Sequence, residues 1–219
     1  MTKRIAILGS TGSIGCNALE VIEHLGPPYR VAALSGHRQA DKLLAQVRRH
    51  KPAAVALSDG AIPPAVESEL AGEGVQVYHG AAGLIDLVQR DDIDIVVAAI
   101  VGAAGLPAVL AAVQARKQLA LANKESLVMA GSLLVAEARR AGVHILPVDS
   151  EHSAIFQAMR TGRRAEVARV VLTASGGPFR GAHRRDLANV TVADAMNHPT
   201  WRMGTKTTID SATMFNKAL

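Results

Sequence analysis

Through the first 150 residues, short apolar runs alternate with longer stretches whose apolar positions recur every three or four residues. The runs 4–8, 30–34, 54–57, 76–78, 93–100, 119–122 and 144–148 are too short for helices and read as strands. Between them, 14–25, 40–49, 64–71, 81–89, 106–115 and 126–141 carry the helical period. Gly26-Pro27-Pro28, Lys51-Pro52 and Gly142 punctuate the units. Strands and helices alternating at these lengths predict an α/β fold with a doubly wound parallel sheet. Ligands in such sheets sit beyond the carboxyl ends of the strands.

After Asp149 the pattern changes. Residues 150–164 look helical, 167–173 form an apolar run that predicts a strand, and a polar stretch follows through Asn197. The expected organisation is therefore a nucleotide-binding domain over 1–149 and a second domain over 150–219. The last ten residues open at Asp210 like a capped helix and stop without a glycine or polar tail, so the second domain reads as incomplete.

Composition narrows the picture. Hydrophobic residues make up 49% of the chain but aromatic ones only 3%, so the core is aliphatic, which favours α/β over a β-sandwich. The same scarcity removes the stacking platforms used for single-stranded nucleic acid. The net charge of +5 is scattered in pairs such as Arg48-Arg49 and Arg163-Arg164, a balance that anionic small molecules explain without a nucleic-acid partner. Cys16 is the single cysteine, so no intrachain disulfide exists, and a reducing compartment is the natural reading. No run approaches the length of a membrane span, and the chain is expected to be cytoplasmic with no membrane partner.

The candidate chemistry begins at Gly9-Ser-Thr-Gly12-Ser-Ile-Gly15, where a strand ends and a helix opens. Glycine lets the backbone approach a phosphate, and the free N–H groups of the helix start point at it. The spacing is G-x-x-G-x-x-G, not the commoner G-x-G-x-x-G, and a purely structural turn is the alternative. After the second strand comes Ser35-Gly36-His37-Arg38-Gln39, where an NAD site would place an Asp or Glu. Arg38 suits a 2′-phosphate, so NADP(H) is expected, against the alternative of a solvated surface charge. Asp149 and Glu151 lie two apart after a strand, so their carboxylates share one face and suit Mg²⁺ or Mn²⁺, or are simply solvated. In Asn123-Lys124-Glu125, Lys124 can meet an anion or donate a proton, and capping by Asn123 and Glu125 is the alternative. Ser175-Gly-Gly and the group Ser211, Asn216 and Lys217 carry donors suited to a phosphate, and 198–204 places Trp201 in a glycine-ended loop that could be a lid.

Together GSTGSIG (9–15), AAIVGAAGL (98–106), LANKESLV (121–128), LPVDSEHSAIFQ (146–157), TASGGPF (173–179), HPTWRMG (198–204) and DSATMFNKAL (210–219) resemble the 1-deoxy-D-xylulose 5-phosphate reductoisomerase family. The resemblance implies a Rossmann-like NADPH domain followed by an incomplete α+β catalytic domain. It also implies a divalent metal, a sugar-phosphate substrate and a homodimer in the full-length form. Carried onto this chain, it makes Thr11, Gly12, Ser13 and Ile14 cofactor contacts, with Asn123 and Glu125 nearby. Asp149 and Glu151 become metal ligands, and Lys124, Glu151 and His198 the catalytic groups. Ser150, Ser175, Trp201, Ser211, Asn216 and Lys217 would hold substrate, with His198, Trp201 and Met203 in the closing loop.

Two departures stand out. His37-Arg38-Gln39 replaces the family's usual Gly, Lys or Arg, and Asn after the second strand. The family motif N-K-G-L-E ends in a third metal ligand, whereas this sequence reads Asn216-Lys217-Ala218-Leu219. Weak or absent catalysis by these 219 residues is therefore expected. The alternative is a non-catalytic NADPH-binding module. A semialdehyde dehydrogenase would need a cysteine nucleophile deep in the catalytic domain, and Cys16 is in the wrong place.

Overall fold

The computed structural model describes residues 2–219 and, at residues 217 and 218, the backbone alone. Seven strands form one sheet: β1 (Lys3–Leu8), β2 (Tyr29–Gly36), β3 (Ala54–Leu57), β4 (Gln76–His79), β5 (Ile95–Ala98), β6 (Gln118–Leu121) and β7 (Ile145–Pro147). Every pairing is parallel, in the order β4-β3-β2-β1-β5-β6-β7. The crossovers are α1 (Ser13–Leu25), α2 (Ala40–His50), α3 (Pro64–Gly72), α4 (Gly80–Gln89), α5 (Leu106–Gln114) and α6 (Glu125–Ala141). This is the Rossmann-like doubly wound sheet that the alternation predicts.

Period-two alternation sorts the strands onto two faces. Ala6, Leu8, Ala54, Ala56, Val96 and Ala98 join one cluster with α5 residues such as Ala108, Ala111 and Ala112. Small side chains on both partners let that helix lie close to the sheet. Ile5, Ile7, Val55 and Leu57 face the other way, onto Leu19 and Ile22 of α1 and Leu43, Leu44 and Val47 of α2. At the amino ends of the strands, Arg4 clamps Asp94 through Nε at 3.0 Å and Nη2 at 2.8 Å.

The chain divides into two compact units, one ending at Asp149 and one running Ser150–Leu219. The second holds α7 (Ser150–Ala158), α8 (Val192–Met196), α9 (Thr205–Ser211), α10 (Phe215–Ala218) and two short 3₁₀ turns, Arg164–Glu166 and Arg184–Asn189.

Three sequence expectations are corrected here. Residues 167–173 form no strand: Val170 and Val171 are exposed, and among the described residues no neighbouring strand offers the ladder that an isolated strand needs. The helix expected over 150–164 ends at Ala158. The helix expected to open at Asp210 is two helices: α9 begins at Thr205, with extended Gly204 as its N-cap, and ends at Ser211, and α10 follows at Phe215–Ala218. Asp210 lies inside α9, one turn from Lys206, whose Nζ is 2.5 Å from Asp210 Oδ2. That approach is off the hydrogen-bond direction, so the buried oxygen has a charge partner but no hydrogen bond among the described residues. Among the described residues no helix is long and apolar enough to cross a membrane.

Candidate active site

The sheet reverses its order between β1 and β5, and the glycine turn lies at that switch point. Gly9 has φ +79°, and a Cβ there would sit 2.8 Å from the Ala99 carbonyl oxygen, so the turn presses on the chain leaving β5. A Cβ on Gly15 would sit 2.3 Å from Gly9 O, which lets α1 start directly on the turn. Gly12 caps α1 with no side-chain hydrogen bond, and no acidic residue occupies the first turn. The helix's first N–H groups therefore remain an anion-binding end.

Polar braces hold this loop. Gly9 N–H donates to Ser35 Oγ at 3.0 Å, and Ser10 Oγ lies 2.7 Å from Gln46 Oε1. Lys42 Nζ donates to the Thr11 carbonyl at 2.7 Å, adding a cation beside the turn. Sequence reading missed Lys42 and Gln46, which reach the loop from α2 and carry no local motif. The turn thus offers what a dinucleotide pyrophosphate needs: close-packed glycine backbone at Gly9 and Gly15 and a positive helix end.

At the next strand end, Arg38 Nε donates to Asp59 Oδ2 at 2.6 Å. His37 Nδ1 lies 3.1 Å from Ser58 Oγ, and its Nε2 is 3.6 Å from the Asp59 carboxylate. Arg38 holds the exposed Asp59 carboxyl below the usual carboxylate range. The expected 2′-phosphate residue is therefore already ion-paired, to a partner that the sequence reading did not single out.

Beyond β6, Asn123 is 1% exposed. Its amide nitrogen donates to the Ile100 carbonyl and, at 2.9 Å, to that of Gly102. Its Oδ1 accepts from Ser126 N at 2.8 Å and Ser126 Oγ at 2.5 Å. Both amide hydrogens and the oxygen are committed, so the side chain caps α6 and braces the loop after β5. Lys124 Nζ donates to Asp149 Oδ2 at 3.0 Å, with both side chains largely buried, so the ends of β6 and β7 are tied by an ion pair. Glu125 opens α6.

In the second unit, Ser150 Oγ donates to Glu151 Oε2 at 2.9 Å in the first turn of α7. Ser175 Oγ lies 3.0 Å from His198 Nε2, while Thr200 N and Trp201 N donate to His198 Nδ1 at 3.1 and 2.9 Å. Gly177 has φ +60°, and a Cβ there would sit 2.0 Å from Ser211 O, so the Ser175-Gly-Gly loop lies directly on the end of α9. Ser211 and Asn216 are buried, and Trp201 is exposed. The Lys217 side chain lies outside the described residues. Ser175, His198 and Ser211 are thus brought together through this loop.

Asp149 and Glu151 offer hard carboxylate oxygens, the donors Mg²⁺ and Mn²⁺ take. Among the described residues no three His, Cys, Asp or Glu gather as a metal site. Asp149 ends the first unit and Glu151 lies in the first turn of α7 in the second, and Mg²⁺, which keeps several waters, is a cation that one or two carboxylates can hold.

Residues 5–131 match the family described as 1-deoxy-D-xylulose 5-phosphate reductoisomerase, and residues 145–219 match the C-terminal domain of that family. A relative named 1-deoxy-D-xylulose 5-phosphate reductoisomerase, from Xanthomonas euvesicatoria pv. vesicatoria, is 51% identical over 99% of this chain and 56% of its own length. One from Symbiobacterium thermophilum is 48% identical over 100% of this chain and 57% of its own length. The Zymomonas mobilis enzyme in complex with NADPH superposes with a TM-score of 0.87 at 41% identity, over 99% of this chain and 56% of that one. A DOX-P reductoisomerase in complex with NADPH, fosmidomycin and magnesium gives 0.86 at 43% identity, over 98% of this chain and 55% of that one. The chain spans a little over half the length of the curated relatives it matches. A glycine turn at the switch point, an ion-paired lysine and aspartate at the neighbouring strand ends, and two matched domains together place the chain in the 1-deoxy-D-xylulose 5-phosphate reductoisomerase family.

Proposed function

We propose that this chain supplies the NADPH-binding unit and the first part of the catalytic unit of a reductoisomerase. The reaction converts 1-deoxy-D-xylulose 5-phosphate to 2-C-methyl-D-erythritol 4-phosphate. The observation that carries this reading is the Lys124–Asp149 pair at the ends of β6 and β7, in the same sheet whose switch point holds the Gly9–Gly15 cradle. When bound, NADPH supplies the hydride and a divalent metal polarises the substrate's carbonyl and neighbouring hydroxyl.

The chain's own residues do the rest. Thr11 to Ile14 hold the pyrophosphate by main-chain N–H groups, and Arg38 faces the 2′-phosphate. Asn123 fixes the loop between β5 and α5, and Glu125 stands near the nicotinamide. Asp149 and Glu151 hold the metal. Lys124 keeps Asp149 oriented, and its ammonium donates a proton where negative charge develops on a substrate oxygen. Ser175, Ser211, Asn216 and Lys217 bind the phosphate, Ser150 the substrate hydroxyls, and His198 and Trp201 close over them. Phosphate anchoring supplies remote binding energy for orienting the reacting carbons.

Titrating the chain with NADPH, then with fosmidomycin and Mg²⁺, tests this reading. NADPH binding, followed by fosmidomycin binding that needs Mg²⁺ and is lost in Asp149→Asn, is the expected result. Failure to bind NADPH overturns it. The rival, cofactor binding without turnover, draws on one observation: no three metal-ligating side chains gather among the described residues. It predicts NADPH binding with no Mg²⁺ dependence of any second ligand.

A further inference from the structure

The exit of β3 sets a second recognition group, Asp59, beside Arg38 at the exit of β2. Gly36 pairs with Leu57 in the parallel register of β2 and β3, and the main-chain ladder continues past both strands. Ser58 N donates to Gly36 O at 3.0 Å and Asp59 N to His37 O at 3.1 Å, so Arg38 and Asp59 leave the sheet side by side. The 2.6 Å bond between them uses Arg38 Nε. Among the described residues the terminal guanidinium nitrogens of Arg38 make no further hydrogen bond.

A dinucleotide-binding sheet meets the adenosine ribose at the end of its second strand. A carboxylate there accepts from a free 2′-hydroxyl, and an arginine there accommodates a 2′-phosphate. This chain presents the arginine there and a carboxylate from the adjacent exit of β3, bonded to each other. A phosphate must compete with Asp59 for Arg38 and is repelled by the carboxylate it displaces. A free ribose meets no such repulsion and gains an acceptor.

Resting on the nucleotide-binding reading above, we propose that Asp59 is a specificity-determining residue: its carboxylate competes with a 2′-phosphate for Arg38 and accepts the 2′-hydroxyl of an unphosphorylated ribose. Asp59 therefore reduces the preference that Arg38 gives the adenosine site for the phosphorylated cofactor. Removing the negative charge sharpens that preference.

The test compares 2′-phospho-ADP-ribose with ADP-ribose by calorimetric titration of the whole chain. These probes isolate the adenosine end from the nicotinamide and from turnover. Asp59→Asn keeps an oxygen able to accept from Arg38 Nε, so it removes charge with little change of shape. In this exposed setting the phosphorylated ligand is expected to bind roughly 3- to 10-fold tighter to Asp59→Asn, and ADP-ribose roughly 2- to 5-fold weaker. Arg38→Gln should abolish most of the preference for the 2′-phosphate. A role for Asp59 in folding alone would move both affinities the same way, and that result overturns the inference. So does an unchanged ratio, or weaker binding of the phosphorylated ligand to Asp59→Asn, which would make Asp59 a support for Arg38. Binding of neither ligand by the unsubstituted chain overturns the nucleotide reading itself, and this inference with it.

Discussion

Up to Asp149 the chain buries carbon: Ile7, Leu8, Leu34, Leu57 and Leu119 are among its largest fully buried side chains, all aliphatic. From Ser150 onward the buried residues of the described chain are Gly177, Thr208, Asp210, Ser211, Ala212 and Asn216, while Val170, Val171, Trp201 and Phe215 are exposed. Apolar burial is non-directional and tolerant, so the core of the first unit needs only the right pattern, while buried Ser10, Asn123 and Ser126 brace its strand ends. Buried polar groups hold only when each has a partner. The second unit is therefore ordered by specific hydrogen bonds and close loop contacts, and the side chains it collects suit a phosphate better than a core.

The sharpest way to break this contrast is a matched pair of substitutions. Leu34→Ala, at a fully buried site in the sheet, should cost about 2–5 kcal/mol. Val171→Ser, at a site 67% exposed, should change stability by no more than about 0.5 kcal/mol. Urea unfolding measures both, and similar losses would mean that the second unit's apolar run is covered in solution.

A smaller effect sharpens the contrast from the other side. Gly177→Ala places a methyl group 2.0 Å from Ser211 O at a φ of +60°, so the loop must move. The expected cost is about 1–3 kcal/mol, confined to the second unit. Mg²⁺-dependent fosmidomycin binding should weaken about tenfold or more, because 1.4 kcal/mol is a factor of ten. NADPH affinity should stay within about twofold, since the Gly9–Gly15 cradle is untouched. Titrating both ligands on one sample separates the two.

The smallest effect is electrostatic. The Arg4 guanidinium holds the Asp94 carboxyl down at about 2, below its ordinary value of 3.8. A depressed folded-state value means stabilisation that is complete above the ordinary value and is lost as pH falls toward 2. Asp94→Asn should lower the melting temperature by roughly 2–4 °C at neutral pH. It should also flatten the acid limb of the stability profile, as melts across that range would record.

Most of the sheet was legible because its signals are local. Strand length, alternation and the glycines at 9, 12 and 15 need no distant partner to be read. The run 167–173 misled for the opposite reason, since β-rich composition becomes a strand only where a neighbour supplies the ladder. Asp210 looked like a cap, but Gly204 starts the helix earlier and Asp210 turns back to Lys206. In the candidate site the residue types were readable and their pairings were not. Arg38 and Asp59 are 21 positions apart, and Lys124 and Asp149 are 25 apart. Each pair meets only through the parallel register of adjacent strands. Asn123 was legible both as a cap and as a cofactor contact, and its saturated amide assigns the side chain to the cap.

The imidazole of His198 gives its neighbourhood a direction. A ring nitrogen that accepts two main-chain N–H groups, as Nδ1 does from Thr200 and Trp201, carries no hydrogen of its own. The proton of the neutral ring must then sit on Nε2, which faces Ser175 Oγ. The serine oxygen is left as acceptor toward the ring, and its own hydrogen is turned outward. Backbone, ring and hydroxyl form a one-way chain of donors ending at a hydrogen ready for an anion, and the tautomer is selected before any substrate arrives.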